Sequence, residues 1–295
     1  MAVHPAIAHD TLSAAARIAG LSSVGAEFIR DGTNVMYRLQ GGVVARIGRD
    51  GAAATATKEV AVSRWLTAVG IPVVKPLEAV PQPVIVDNRP VTWWKLLPDH
   101  RPANPAELGK VLRMVHGLAI PSGLELPTYD PFEGLDQRIR DTHGLDRVDR
   151  TWLSAHVEFL RSRHENQTQG VPRTVIHGDA WQGNVAVPES GEPILLDLEK
   201  VAIGHPDIDL VNIAVDYTDF ARLTDEDYRS FVDAYGGYDV TTTSTYRTLA
   251  DIQELRWVSF VLGKSATSSD AARETRHRIA CLRGDQPRPW SWTAF

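Results

Sequence analysis

A chain of 295 residues, 43% apolar and 23% charged, is long and apolar enough to bury the cores of two lobes, and its composition excludes a low-complexity or disordered chain. A net charge of −6 argues against a general nucleic-acid binder, and the single cysteine, Cys281, excludes an internal disulfide or a cysteine-built zinc site. No apolar run approaches the roughly 20 residues that span a bilayer, and Met1-Ala2-Val3-His4-Pro5 lacks a basic signal-peptide start, so the expected address is the cytoplasm, with neither membrane nor nucleic acid as partner.

In chain order, Thr11 to Ala19 reads as a helix entered at Asp10 and stopped at Gly20. Three strand-like runs follow, Ala26 to Ile29, Val35 to Leu39 and Val43 to Ile47, joined at Asp31-Gly32-Thr33-Asn34 and Gln40-Gly41-Gly42. Ala56 to Val69 has helical spacing, and two further strands, Val84 to Val86 and Val91 to Leu96, flank the turn Asp87-Asn88-Arg89-Pro90. Asn104 is a good N-cap with Pro105 at the first helical position, and from there the chain turns mostly helical. Helices are expected at 105–117, 149–165, 206–219, 225–235, 244–264 and 269–283. The expected fold class is α+β: a five-stranded antiparallel sheet with helix in residues 1–98, then a mostly helical lobe in residues 99–295 that holds one β-hairpin. Residues 1–98 carry 10 Lys and Arg against 7 Asp and Glu, and the remainder carries 21 against 30, so the first part is the better suited to phosphate.

The most informative stretch is His177-Gly178-Asp179-Ala180-Trp181-Gln182-Gly183-Asn184, followed by Asp197 and Glu199 in Ile194-Leu195-Leu196-Asp197-Leu198-Glu199. Val185 to Val187 and Ile194 to Leu196 are apolar runs around the turn-rich Pro188 to Pro193, which predicts a hairpin. A turn centred on Ser190-Gly191 sets Asn184 opposite Asp197, and facing side chains lie roughly 5 Å apart at Cβ. Two oxygen ligands at that separation suit one Mg²⁺, which fills its remaining sites with phosphate oxygens and water. Asp179, ahead of the hairpin, is the candidate base or alcohol-positioning group. His177 is read as orienting the loop by hydrogen bonding.

The pattern H-x-D-x-x-x-x-N with an Asp after a hairpin resembles the protein-kinase-like fold. With Trp181, Gly183-Asn184, Asp197-Leu198-Glu199 and Gly204-His205-Pro206-Asp207-Ile208-Asp209-Leu210, the chain more closely resembles the aminoglycoside phosphotransferase family of small-molecule kinases. The resemblance implies two lobes, ATP or GTP as donor, Mg²⁺ as cofactor, and transfer to a hydroxyl of a small molecule such as an aminoglycoside, amino sugar, nucleoside antibiotic or amino alcohol. Antibiotic resistance is one role among several that this implies.

The same resemblance assigns nucleotide contacts in the first lobe. Arg46 stands where kinases carry the Lys of their third strand, and Glu59 is its expected partner, with the adjacent Lys58 competing for phosphate. Gly32, Thr33 and Asn34 form the expected phosphate-covering loop. Backbone groups of Lys95 and Leu96 are the expected purine contacts in a hinge, where Trp93 and Trp94 read equally as core. Glu199 is a candidate for a second metal or its water, and Asp209 for a brace of the catalytic loop. Trp181 is either an acceptor wall or packing beneath the loop. Asp216, Asp219, Asp251 and Glu254 are candidates for recognising an amine-bearing acceptor. A protein kinase is disfavoured, because only about eight residues separate Asp197 from Pro206 and no A-P-E follows. The rival of another class is a catalytically silent nucleotide-binding regulator, suggested by Arg at position 46.

Overall fold

The computed structural model describes residues 5–295, so the Met1–His4 part of the N-terminal stretch read above lies outside the described residues. The elements in chain order are α1 (Pro5–Ala19), β1 (Glu27–Asp31), β2 (Val35–Leu39), β3 (Val43–Ile47), α2 (Ala53–Ala68), β4 (Val84–Val86), β5 (Arg89–Lys95), β6 (His100–Pro102) and α3 (Pro105–His116). There follow α4 (Leu135–Asp141), α5 (Arg147–Thr168), β7 (Thr174–Ile176), β8 (Val185–Pro188), β9 (Ile194–Leu195), β10 (Ala202–Gly204), α6 (Asp207–Thr218), α7 (Asp225–Tyr235), α8 (Tyr246–Ser265) and α9 (Ser269–Arg283). No helix among the described residues is long and apolar enough to cross a membrane.

The chain divides into two compact units that interleave in sequence. The first takes the residues up to Ala103, Pro121–Leu126 and Gln182–Val201; the second takes Asn104–Ile120, Pro127–Trp181 and Ala202–Phe295. This differs from a division at residues 98 and 99, because the hairpin segment packs with the first unit.

In the first unit a five-stranded antiparallel sheet runs β1-β2-β3-β5-β4. Strand alternation decides what each face carries. Val35, Tyr37, Leu39, Val43, Ala45, Ile47, Val91 and Trp93 point to one face and bury against Leu12, Ala15 and Ala16 of α1. Val44 and Trp94 point to the other and meet Val60 of α2. Trp93 and Trp94 are 0% and 4% exposed, so both are core, on opposite sides of β5. Arg46 follows the even-numbered pattern and emerges on the α2 face, within reach of Glu59. The β4–β5 turn holds Asp87 and Asn88 at φ 47° and 63°, the left-handed pair that a two-residue hairpin needs.

The first unit also contains a three-stranded sheet, β6-β8-β9. Its hairpin pairs Val185 with Leu195 and Ala186 with Ile194. That register corrects the expected one: it extends Asn184 to face Leu196, whose N–H donates to the Asn184 carbonyl at 2.8 Å, and Asp197 lies one residue beyond. Leu195 exchanges backbone bonds with Pro72 and Val74, which anchors the hairpin inside this unit.

The second unit is mostly helical. Asn104 and Glu107 close a capping box at α3, Thr224 and Asp227 close another at α7, and the Ser268 side chain caps α9. The short strands β7 and β10 pair antiparallel, with Tyr129 donating to Ile203 at 2.9 Å on the outer side of β10. The strands β6, β7 and β10, three residues each, and the seven-residue α4 were not anticipated, being too short to display a period.

Candidate active site

Arg46 is the centre of the polar cluster in the first unit. Its Nη1 donates to Glu59, its Nη2 lies 3.2 Å from Asp197 Oδ1, and the same nitrogen is 3.6 Å from Glu199 Oε2. With its amide oriented to satisfy its neighbours, Asn34 accepts from Arg46 Nη2 and Nε at 2.7 and 2.9 Å. Burial alone would lower the Arg46 pKa, but Glu59, Asp197 and Glu199 win and raise it. Burial also raises the Glu59 carboxyl, with Asp197 and Glu199 adding to the rise and Arg46 opposing it. Three carboxylates, Glu59, Asp197 and Glu199, thus face the Arg46 guanidinium.

Asp197 sits at φ 54° and ψ 61°, a left-handed conformation that a non-glycine residue adopts at a cost. It opens the one-turn 3₁₀ helix Leu198–Lys200 and brings Glu199 to the same guanidinium. Asn184 ends another such turn, Gln182–Asn184, and is 8% exposed. Lys58 donates to the Val201 carbonyl at 3.2 Å.

The other predicted nucleotide contacts are partly engaged. The N–H of Lys95 donates to Lys75 O at 2.9 Å and that of Leu96 to Gly42 O at 2.8 Å. Both N–H groups are thus engaged within the first unit, and the expected purine contact through backbone groups of Lys95 and Leu96 would use their carbonyls. Gly32 does not use a left-handed φ, and a Cβ there would meet nothing within 4 Å, so the turn itself does not demand glycine. Its N–H makes a 3.3 Å bond to Asn34 O, and Asn34 serves Arg46. Thr33 lies in the same exposed turn.

In the second unit the loop after β7 is held by a buried carboxylate. Asp209 Oδ2 accepts from the His177 N–H at 2.6 Å and Oδ1 from the Gly178 N–H at 2.8 Å. His116 Nε2 lies 2.9 Å from the same Oδ2, and its Nδ1 lies 2.8 Å from the Tyr235 hydroxyl. Burial would raise the Asp209 carboxyl, but His116, His177 and the backbone donors bring it below the ordinary carboxylate value. Gly178 has φ 79°, which a side chain would resist, and the turn it makes leads to Asp179 on the surface. The Asp179 N–H donates to His177 Nδ1 at 3.3 Å, and Asn212 Nδ2 donates to the Ala180 carbonyl at 2.8 Å. Trp181 is 50% exposed.

His116 lies 93 residues from Asp209, and no local signal in the sequence links them. The i, i+3, i+7 spacing sets Asp209, Asn212 and Asp216 on one helical face, but does not show that Asn212 holds the Ala180 carbonyl.

The acidic residues expected to recognise an amine are all answered by arginine. Asp216 pairs with Arg222 at 2.7 Å, Asp219 with Arg247 at 2.7 Å and Arg288 at 2.8 Å, Asp251 with Arg247 at 2.8 Å, and Glu254 with Arg247 at 2.8 Å. Burial and a shared hydrogen bond with Asp219 push the Glu254 carboxyl up to about 8. These residues form a folded salt-bridge network, which corrects their reading as an amine site. Gly263, Lys264 and Ser265, with the tail of a phosphate-loop pattern, lie in the last turn of α8.

The geometry agrees with what comparison finds. An amicoumacin kinase in complex with AMP-PNP, Ca²⁺ and Ami superposes with a TM-score of 0.73 at 15% identity, covering 94% of this chain and 93% of that one. A choline/ethanolamine kinase family protein from Mesorhizobium loti gives 0.65 at 16% identity, covering 92% and 93%. A spectinomycin phosphotransferase in complex with ADP and spectinomycin gives 0.58 at 15%, covering 86% and 88%. The fold is thus kinase-like. No curated protein sequence matches the chain. The profile of the phosphotransferase enzyme family matches residues 25–252, more than three quarters of the length, and the chain belongs to that family.

Proposed function

We propose that the protein transfers the terminal phosphoryl group of ATP or GTP to a hydroxyl of a small molecule. The observation that carries this is a distinct carboxylate environment in each of the two units. Asp179 stands exposed on a loop whose backbone is fixed by Asp209, and Asp197 and Glu199 face the Arg46 guanidinium. Asp179 accepts the proton of the attacking alcohol and orients its oxygen. Arg46, held by Glu59 and Asn34, keeps the Asp197 and Glu199 side chains in place. Trp181 offers an apolar face to the acceptor.

The donors fit a magnesium ion: Asn184, Asp197 and Glu199 present oxygen alone, which Mg²⁺ prefers. No group of three or more His, Cys, Asp or Glu among the described residues is arranged to hold a metal unaided, which suits an ion that completes its shell with phosphate oxygens and water. When bound, the ion would neutralise and orient the phosphates. Phosphoryl transfer asks chiefly for positioning and charge stabilisation, so a small residue set suffices.

The test is a product-identified screen: purified protein, Mg²⁺, γ-labelled ATP or GTP, and a panel of hydroxyl compounds that includes aminoglycosides, amino alcohols and nucleosides. Label transferred to a carbon-bound hydroxyl supports the reading. Nucleotide binding without turnover across the panel would favour a silent regulator instead.

A further inference from the structure

One arginine on α8 has no acid. Arg256 donates through Nη1 to the Tyr129 hydroxyl and, at 3.4 Å, to the Pro131 carbonyl. Its Nε and Nη2 make no hydrogen bond among the described residues, and it forms no ion pair there. The contrast with Arg222, Arg247 and Arg288 is sharp, since each of those meets at least one carboxylate within 2.8 Å. The open Nε and Nη2 edge of this half-buried guanidinium is a fork that can take an anion.

Its place in the unit is defined by backbone pairing. Tyr129 lies beside Ile203 of β10, which pairs with Val175 of β7, and the chain runs from β7 through His177 to Asp179. Gly204 lets these pieces close up: a Cβ there would meet Tyr129 Cβ at 3.1 Å and Ile176 Cδ1 at 2.5 Å. On the other side, Gln253 of α8 reaches Asn212, the residue that holds Ala180, at 3.5 Å. Arg256 follows Gln253 by three residues, one helical turn on the same face. Electrostatics reports the same neighbourhood. Burial pushes the Tyr129 hydroxyl up to about 12, with Arg256 opposing and Asp209 and Asp179 adding to the rise.

We propose that Arg256, held by Tyr129, is a specificity-determining residue that binds an oxyanion of the acceptor, so that the enzyme prefers hydroxyl compounds carrying a carboxylate or similar group over polycationic amino sugars. This rests on the phosphotransferase reading and narrows its acceptor. The Nε and Nη2 edge of a guanidinium matches two carboxylate oxygens at once. Tyr129 keeps its proton at neutral pH, accepts from Arg256, and has that proton left to donate to the same ligand. Asp216, Asp219 and Asp251, already ion-paired, and Glu254, whose protonated form is favoured, offer little to an ammonium group.

The test uses matched pyranoses, a uronic acid, the neutral hexose and the 2-amino sugar, together with an aminoglycoside, each with γ-labelled nucleotide and Mg²⁺. Acceptor-independent nucleotide hydrolysis is the control. The uronic acid should exceed the amino sugar in kcat/KM by roughly tenfold or more, the worth of one charged hydrogen-bond pair. Arg256→Gln should raise KM for the uronic acid by about tenfold, with nucleotide KM unchanged. Arg256→Lys, which keeps the charge but not the fork, should fall between, and Arg256→Glu should invert the order of acceptors.

If Arg256 only ties residues 129–131 to α8, Arg256→Gln will lower thermal stability and slow all acceptors equally, and the proposal is overturned. It is overturned equally if the wild-type enzyme shows no charge preference, or prefers the amino sugar. Absence of label transfer to any acceptor by the wild-type protein is a separate outcome: it removes the phosphotransferase reading, and this proposal with it.

Discussion

Two carboxylate centres in this chain are built in opposite ways. Asp209 is wholly buried, and both oxygens are taken by backbone N–H groups and His116. Asp197 is 31% exposed at its side chain and shares a single guanidinium with Glu59 and Glu199. The first centre is saturated with donors, its pKa falls, and it fixes a loop. In the second, three carboxylates face the Arg46 guanidinium and Asp197 stays partly exposed, the arrangement proposed above to take a ligand. The same functional group is a brace or a binding site according to whether its surroundings satisfy it.

The largest expected effect comes from breaking the brace. Asp209→Ala strands two backbone N–H groups and His116 in the interior and should cost about 3–5 kcal/mol in denaturant unfolding, with turnover falling as the Asp179 loop loosens. Because the Asp209 pKa is depressed on folding, its contribution is complete above the unfolded carboxyl value of about 3.9 and fades as pH drops through the lower folded value. Asp209→Asn should remove that part of the acid transition; an unchanged acid limb would contradict the brace.

Asp197→Asn should do the reverse, leaving stability within about 1 kcal/mol while weakening Mg²⁺-dependent nucleotide binding at least tenfold, roughly the scale of a lost charged contact. Titration with a non-hydrolysable nucleotide at several Mg²⁺ concentrations checks it, and an unaltered Mg²⁺ dependence would dissolve the distinction between the two centres. Arg46→Lys preserves the charge but loses the fork that joins Asn34, Glu59 and Asp197, and should raise nucleotide KM by several-fold with little change in stability, about 1 kcal/mol or less.

The smallest effect is at the salt-bridge network. The fold raises the Glu254 carboxyl to about 8, so its protonated form is favoured, and the stability this brings is full in acid and lost as pH rises through that value. Glu254→Gln should track the wild-type melting temperature below the unfolded carboxyl value of about 4.3 and exceed it by a margin that grows until about pH 8. Parallel curves from pH 5 to 9 would contradict the assignment.

Much of the fold was legible because local signals agreed. The alternation in β2 and β3 and the capping residues at α7 and α9 fix those elements within a residue. The stretch from His177 to Asn184 stands out in the sequence because its polar residues are compressed into one short run of chain. What escaped was long-range. The hairpin register was off by one: the turn between Pro188 and Pro193 closes with Gly191 donating to Pro188 O at 2.9 Å, and a one-residue shift changes every facing pair. Nothing near Asp219 or Glu254 announces that Arg288 will fold back onto them, and nothing near Lys95 announces Lys75. Pairing partners of buried charge are a property of the tertiary structure.

The most direct test of the central claim is turnover by Asp179→Asn at saturating Mg²⁺-nucleotide, with nucleotide affinity measured on the same preparation. A positioned base is worth about 10²–10⁴ in rate, so the account predicts a loss of that size with affinity held within about threefold. An Asp179→Asn enzyme that turns over at the wild-type rate would contradict it.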